Sequence, residues 1–341
     1  LAALCKCGAF HESFVLFNKL CVRSVFVWTA ILSCYADNGR PNEAISLYKH
    51  MRKDGVSPDS YTFVVLFKAC GLIRDLDEGK LFHAEARSRG FCSDLFVGNT
   101  LISMYGKCGS VSECERTFLE MSSRDIVSCN ALLSAYVDQG LSEKALLFYR
   151  QIHEEEQEKG CLGLRMDEHT FVFTLRATRI YAESEERYFI HDERPFPMLV
   201  AREIALSLHA DAHKRGFTCN KFIGNTLVSV YANCGSVTQA MNAFCCISDP
   251  DLVSWTALLS AFFEQRQPEK ALQLYIALPQ DELTTNHQTF LIALQACGSL
   301  AEAEEATMID GQLSKPRALS IGRGIHMDTL ALGLGSSLFV G

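Results

Sequence analysis

The stretch VFVWTAILSCYADNGRPNEAISLYKHM (Val25–Met51) returns as IVSCNALLSAYVDQGLSEKALLFYRQI (Ile126–Ile152) and again as LVSWTALLSAFFEQRQPEKALQLYIAL (Leu252–Leu278). Each copy has the pattern of a helical pair. Ala30, Ile31, Cys34 and Tyr35 fall at helical spacing, DNGRPNEA supplies a turn with a proline, and Ala44, Ile45, Leu47 and Tyr48 resume the spacing. Two short helices cannot bury their apolar faces alone, but stacked neighbours can. Self-similarity of this kind therefore predicts an all-α chain, an α-solenoid with a long regular surface on its concave side.

Between these copies lie two further unit types. One opens YTFVVLFKACG (Tyr61 onward) and recurs as HTFVFTLRAT and QTFLIALQACG; the other is FVGNTLISMYGKCGSV (Phe96–Val111), which recurs as FIGNTLVSVYANCGSV (Phe222–Val237). Counted from Val25, the first three units close at Asp59, Asp94 and Asp125, lengths of 35, 35 and 31 residues. The next triplet carries extra residues around Glu154–Gly163 and within Thr178–Ala201.

The 341 residues are 48% hydrophobic and 21% charged, a composition that folds, and no apolar run approaches the roughly 18 residues of a membrane span. Fifteen cysteines, an odd number, recur at fixed repeat positions: Cys7, Cys108 and Cys234 before glycine, Cys70 and Cys297 after alanine. That recurrence reads as small buried hydrophobes in a reduced interior. No CxxC pair with zinc-site spacing is present, and no metal or other cofactor is called for. His83-Ala84-Glu85 matches half of a zinc deaminase signature, but no P-C-x-x-C completes it, and GxxxxGK[ST], GxSxG and HExxH are also missing, so no catalytic residue is assigned.

WTAILSCYADNGRPNEAISLYKHMRKDGVSPD, GNTLISMYGKCGS and LHA together resemble the plant pentatricopeptide repeat family, and the 35-35-31 alternation resembles its subclass of P, L and S triplets. The resemblance divides the chain into a partial S repeat (1–24), P (25–59), L (60–94), S (95–125), P with an insertion (126–167), L with an insertion (168–220), S (221–251), P (252–286), L with an insertion (287–337) and the start of another S (338–341). It implies a right-handed solenoid that reads single-stranded RNA at one base per repeat. By the same resemblance the base would be selected by the fifth and last residues of a unit: Thr29 with Asp59, Asn99 with Asp125, Asn130 with Asp167, Asn225 with Asp251, and Thr256 with Asn286. Second residues Phe26, Phe96, Val127, Phe222 and Val253 would sandwich the bases. The L units depart from the pattern with Val64/Asp94, Val172/Asn220 and Leu291/Ser337, since an aliphatic side chain cannot read a base edge. The implied target is 5′-G-n-U-U-n-U-A-n-3′, each U replaceable by C.

The resemblance further implies an organellar protein, of mitochondrion or chloroplast, that recognises sites for C-to-U editing or other processing. Its partners would be single-stranded organellar RNA and other editing factors, not a membrane or a small-molecule substrate. The deaminase-like domain common in the subclass is not among these residues. Two observations weigh on the other side. Asn, Thr and Asp at helix starts are ordinary caps, and the net charge is −8 where nucleic-acid binders are usually basic. Glu154–Gly160, Glu183–Arg194 and Glu302–Asp310 carry −3, −3 and −4, however, leaving +2 on the rest, and insertions in a solenoid are expected as surface loops. The alternative reading is a tetratricopeptide-like scaffold for a protein partner, with the same helical pairs and incidental polar residues.

Overall fold

The computed structural model describes residues 4, 7, 9–20, 22–159, 164–184, 197–278, 287–305, 307–309 and 312–331. These form two compact units, residues 1–177 and 178–341. The first unit holds α1 (Phe10–Lys19), α2 (Val25–Asp37), α3 (Pro41–Lys53), α4 (Ser60–Ile73), α5 (Leu76–Ser88), α6 (Leu95–Lys107), α7 (Val111–Glu120), α8 (Ile126–Asp138), α9 (Ser142–Lys159) and most of α10 (Glu168–Ser184). The second holds the end of α10, then α11 (Pro197–Lys214), α12 (Lys221–Asn233), α13 (Val237–Cys245), α14 (Leu252–Glu264), α15 (Pro268–Ile276), α16 (His287–Ala303), a hairpin of β1 (Thr307–Ile309) and β2 (Gln312–Ser314), and α17 (Pro316–Ala331). Among the described residues, no helix is long and apolar enough to cross a membrane and no cluster of side chains could hold a metal ion.

The sequence sets the ends of these helices. Asp59, Asp125 and Asp251 are N-caps in reciprocal capping boxes with Thr62, Ser128 and Ser254, which satisfy backbone donors that a helix start would otherwise leave open. Between the helices of a pair the chain must reverse within a few residues, and it does so through left-handed backbone at Gly39 (φ 76°), Gly109 (77°), Gly140 (70°) and Gly235 (71°). In the pair α14–α15 that position is Arg266, at φ 54°.

Within each unit the first helices of successive pairs pack side by side, α4 on α6, α6 on α8, and α12 on α14. Their buried faces carry Phe63, Leu66 and Phe67 on α4, Leu101 and Tyr105 on α6, and Leu227 and Tyr231 on α12. Aromatic contacts recur in register: Trp28 meets Phe17 edge-on at 4.7 Å, and Trp255 meets Phe244 at 4.9 Å. Such pairs add about 0.5–1.5 kcal/mol beyond the area they bury. Second helices are linked to one another by ion pairs, Arg52–Glu85, Arg87–Glu120 and Lys144–Glu115. Exposed pairs of this kind contribute little each, so the tight layer is the one formed by the first helices.

Three expectations need correction. The acidic stretch from Glu154 is helix through Lys159, not a loop, because Glu, Gln and Lys are good helix formers and no breaker intervenes before Gly160; α9 is 18 residues long. The insertion after α16 contains a short antiparallel hairpin, with Thr307 opposite Ser314 and Ile309 opposite Gln312. Asp310-Gly311 between its strands is a strong hairpin signal that the helical repeat overshadowed. Finally, Cys34 is disulfide-bonded, so the interior is not uniformly reduced. Cys70 and Cys114 behave as expected of small hydrophobes: burial pushes both thiols up to about 12, and they stay protonated. Most of the Glu183–Arg194 insertion lies outside the described residues.

His83 is buried and shares a 2.7 Å hydrogen bond with the Tyr105 hydroxyl; His209 does the same with Tyr231 at 3.0 Å. Burial holds both imidazoles below their usual pKa. Glu85 accepts from the Tyr48 hydroxyl at 2.8 Å and pairs with Arg52 and Arg89. The His83-Ala84-Glu85 stretch is thereby tied into the packing between pairs.

Candidate nucleic-acid interface

The first helices of the P and S units, α2, α6, α8, α12 and α14, open with an exposed apolar residue and carry a polar residue one turn on. Phe26, Phe96, Val127, Phe222 and Val253 are 76%, 70%, 53%, 66% and 61% exposed. Packing does not require apolar side chains there, and solvent disfavours them, so their repetition is a surface property of the array. Tyr61, second residue of its unit, is likewise exposed.

The polar pairs form direct or relayed hydrogen-bond contacts. Asn99 Nδ2 donates to Asp125 Oδ1 at 3.2 Å, Asn130 Nδ2 to Asp167 Oδ1 at 2.8 Å, and Asn225 Nδ2 to Asp251 Oδ1 at 3.4 Å. Thr29 and Asp59 meet through Thr62: the hydroxyls of Thr29 and Thr62 are 2.9 Å apart, and Thr62 Oγ1 donates to Asp59 Oδ1 at 2.7 Å. The proton of Thr62 is thus committed to Asp59, so Thr29 donates to Thr62 and keeps only lone pairs for a further partner. Thr256 donates to the Leu252 carbonyl at 2.7 Å and lies 3.0 Å from the Thr289 hydroxyl. Its partner Asn286 lies outside the described residues, as does Ser337.

In each carboxylate one oxygen does the structural work. Oδ1 of Asp59, Asp125, Asp167 and Asp251 accepts the backbone N–H of Thr62, Ser128, Thr170 and Ser254. Oδ2 is left over; at Asp167 it faces His169 Nδ1 at 3.7 Å, and at Asp251 it faces Lys221 Nζ at 3.5 Å. Burial alone would raise the carboxyls of Asp125, Asp167 and Asp251, but hydrogen bonds from the cap N–H, the hydroxyl and the asparagine amide outweigh it and hold all three below the usual carboxylate range. They are ionised, acceptor-only groups at neutral pH. Capping therefore occupies Oδ1 and leaves Oδ2 of the same side chain for other contacts.

In the first unit Phe96, Asn99, Asp125, Val127, Asn130 and Asp167 line one groove of about 670 Å3. Val64, the aliphatic fifth residue of the preceding unit, lines it too, together with Lys68, Lys107 and His169, which the sequence reading did not single out. Lys68 pairs with Asp37 at 2.5 Å. Thr29 and Asp59 are not among the groove's lining residues; in the second unit Asn225 and Thr256 sit on the packed neighbours α12 and α14. A larger cleft of about 1020 Å3, bordered by Phe118, Cys129, Phe148 and Gln151, opens where the 10-residue α7 lies near the 18-residue α9.

Residues 23–71 match the model of the PPR repeat family, and residues 99–126, 127–156 and 253–281 match the PPR repeat model. The chain is similar to pentatricopeptide repeat-containing proteins of Arabidopsis thaliana. One, named as chloroplastic, is 29% identical over 321 residues, 94% of this chain and 34% of the relative; another is 31% identical over 259 residues, 76% of this chain and 28% of the relative. The chain thus spans about a third of the length of these relatives. A solved structure of the pentatricopeptide repeat protein PPR10 in complex with an 18-nt psaJ RNA element is similar at 17% identity and a TM-score of 0.44, covering 99% of this chain and 64% of that one.

Proposed function

Because this chain belongs to the pentatricopeptide repeat family, we propose that it binds single-stranded RNA one base per unit, as the site-recognition part of an organellar editing or processing factor of the P-L-S subclass. The PPR10 structure holds an RNA element, and relatives with chloroplastic names agree with an organellar setting. The observation that carries the reading is the pairing, unit after unit, of an exposed apolar side chain with a half-satisfied polar pair.

The unused hydrogen-bonding groups support the base preferences that the resemblance implies. Asn99 has one amide N–H left after Asp125, and Asp125 has Oδ2 left, so the pair offers one donor and one acceptor. Uracil presents an N3–H beside a carbonyl, which is the complement; cytosine can present its amino group and N3 to the same pair. Thr29 and Asp59 offer two acceptors, the complement of the N1–H and N2 amino donors of guanine. Phe96 and Val127 line the same groove as Asn99 and offer apolar surface on which a base can stack. The aliphatic Val64, Val172 and Leu291 offer no edge, and their nucleotides stay unspecified. Lys68 and Lys107 supply positive charge along the groove in a chain of net −8.

The test is a titration with 5′-G-n-U-U-n-U-A-n-3′ RNA and a scrambled control across a range of salt. Tighter binding of the matched RNA, weakening as salt rises, is expected. Folded protein that binds both equally, or that captures an apolar peptide without salt dependence, would overturn the reading in favour of a scaffold.

A further inference from the structure

The unit that follows each of the five polar pairs has a hydroxyl at its third residue: Thr62, Ser128, Thr170, Ser254 and Thr289, all with no solvent exposure. A buried hydroxyl must find partners or lose its hydration uncompensated. These find them across the boundary between units. Ser128 Oγ lies 2.5 Å from Asn99 Oδ1 and 2.9 Å from Asp125 Oδ1, and Thr170 Oγ1 lies 2.8 Å from Asn130 Oδ1 and 3.0 Å from Asp167 Oδ1, so each hydroxyl shares its one proton between the amide oxygen and the carboxylate. Thr62 and Thr289 lie 2.9 and 3.0 Å from the hydroxyls of Thr29 and Thr256.

An asparagine amide has nearly the same shape with its oxygen and nitrogen exchanged, so its neighbours alone decide which atom it presents. In Asn99 and Asn130 two contacts make that decision. The carboxylate takes one hydrogen of Nδ2, and the hydroxyl holds Oδ1 at the boundary between units. The second N–H is then left for the groove. In Thr29 the same position acts with opposite sign: the Thr62 proton is spent on Asp59, so Thr62 receives the Thr29 proton and leaves lone pairs outward.

Given the RNA-reading function above, we propose that the buried hydroxyl at the third residue of the following unit is a positioning residue for base choice, fixing whether the selecting side chain presents a donor or an acceptor. A unit's specificity then resides in three side chains drawn from two units, and one of them never touches the base.

One unit lacks half of the clamp. Ser254 Oγ donates to Asp251 Oδ1 at 3.1 Å and does not reach Asn225, whose Oδ1 is buried without a hydrogen-bond partner and whose Nδ2 bond is the longest of the three, at 3.4 Å. The nucleotide read by Asn225 should be the least stringently chosen of the three uridines.

The experiment compares Ser128→Ala, Ser128→Thr, Thr170→Val and Asn99→Val in the full chain, each checked by thermal melting, on RNAs differing only at the nucleotide facing Asn99 or Asn130. Ser128→Ala should lower the preference for uridine over adenosine about tenfold at the Asn99 nucleotide, the loss of one ordinary hydrogen bond, and leave the others unchanged. Ser128→Thr should restore it, since threonine occupies this position in three other units. Thr170→Val, nearly isosteric, should do the same at the Asn130 nucleotide and covers the case in which Ser128→Ala unfolds. A uniform loss of affinity at all nucleotides, or an unchanged preference in folded Ser128→Ala and Thr170→Val protein, would overturn the proposal. Asn99→Val separates the two readings: if it keeps the uridine preference, the base-reading function itself fails; if it loses it while the hydroxyl variants do not, only the clamp fails.

Discussion

Asp59→Asn exchanges one outward-facing atom and little else. The structure puts Asp59 at the N-cap of α4, where Oδ1 accepts from Thr62 N at 2.8 Å and Thr62 Oγ1 at 2.7 Å. An amide oxygen can keep both bonds, and asparagine caps about as well as aspartate, so the fold loses only the charge at the helix N-terminus, about 0.3–1 kcal/mol. That is a melting shift of roughly 1–4 °C. At the base, Oδ2 becomes an amino group and an acceptor becomes a donor. Guanine loses a hydrogen bond to a charged group, worth about 1.5–3 kcal/mol, while adenine, with an acceptor at N1, gains a neutral one of about 0.5–1.5 kcal/mol. Asp59 is only half-buried, which screens the charged bond. The lower end applies, a swing of about 2 kcal/mol or roughly 30-fold from G toward A. The assay is a pair of binding titrations, wild type against variant, on RNAs that differ at the first specified base alone. Equal losses on both RNAs would reduce Asp59 to a helix cap and refute the assignment of a second role to its other oxygen.

Phe96→Ala should leave stability within about 0.5 kcal/mol, because the ring is 70% exposed, yet weaken RNA binding by about 1–3 kcal/mol whichever base is offered; melting and binding curves on the same sample separate the two effects. Arg266→Gly should raise stability by about 0.5–1 kcal/mol, since glycine relieves the left-handed backbone at φ 54° that the other turns already fill with glycine, less its own entropy; a lower melting temperature would count against strain at this turn. His83 and His209 have folded pKa values depressed by burial, so their contribution to stability is fully present above the unfolded value of about 6.5 and drains away as pH falls from there through the lowered folded values. Melting at pH 7.5 and 5.5 should show that loss in the wild type and less of it in a His83→Gln/His209→Gln double variant; parallel behaviour would assign the acid sensitivity to other groups.

The positions of the helices were legible in the sequence because local chemistry sets them. An aspartate before an apolar run, a glycine in the turn and a proline after it act within a few residues of themselves, and α2, α8 and α14 begin at Val25, Ile126 and Leu252, where the three quoted stretches open. The exposure of Phe26 or Phe96 was legible only through repetition, since a single phenylalanine on a helix is more often core. Where local signals competed, the reading failed: helix-forming glutamates extended α9 where an insertion suggested a loop, and β1 paired with β2 inside a helical repeat.

The sequence by itself determined the repeat, its register and the residue types at the polar positions proposed to select bases, because these recur along the chain and recurrence needs no coordinates. Only tertiary structure decided how those residues are wired. Ser128 lies 29 positions from Asn99, and Thr170 lies 40 from Asn130, their separation stretched by the insertion. Packing of α6 on α8 brings Ser128 onto Asn99, and the start of α10 brings Thr170 onto Asn130. Which atom an asparagine offers to the groove follows from that contact between units, because a hydrogen bond depends on distance and direction in space and leaves no period in the chain.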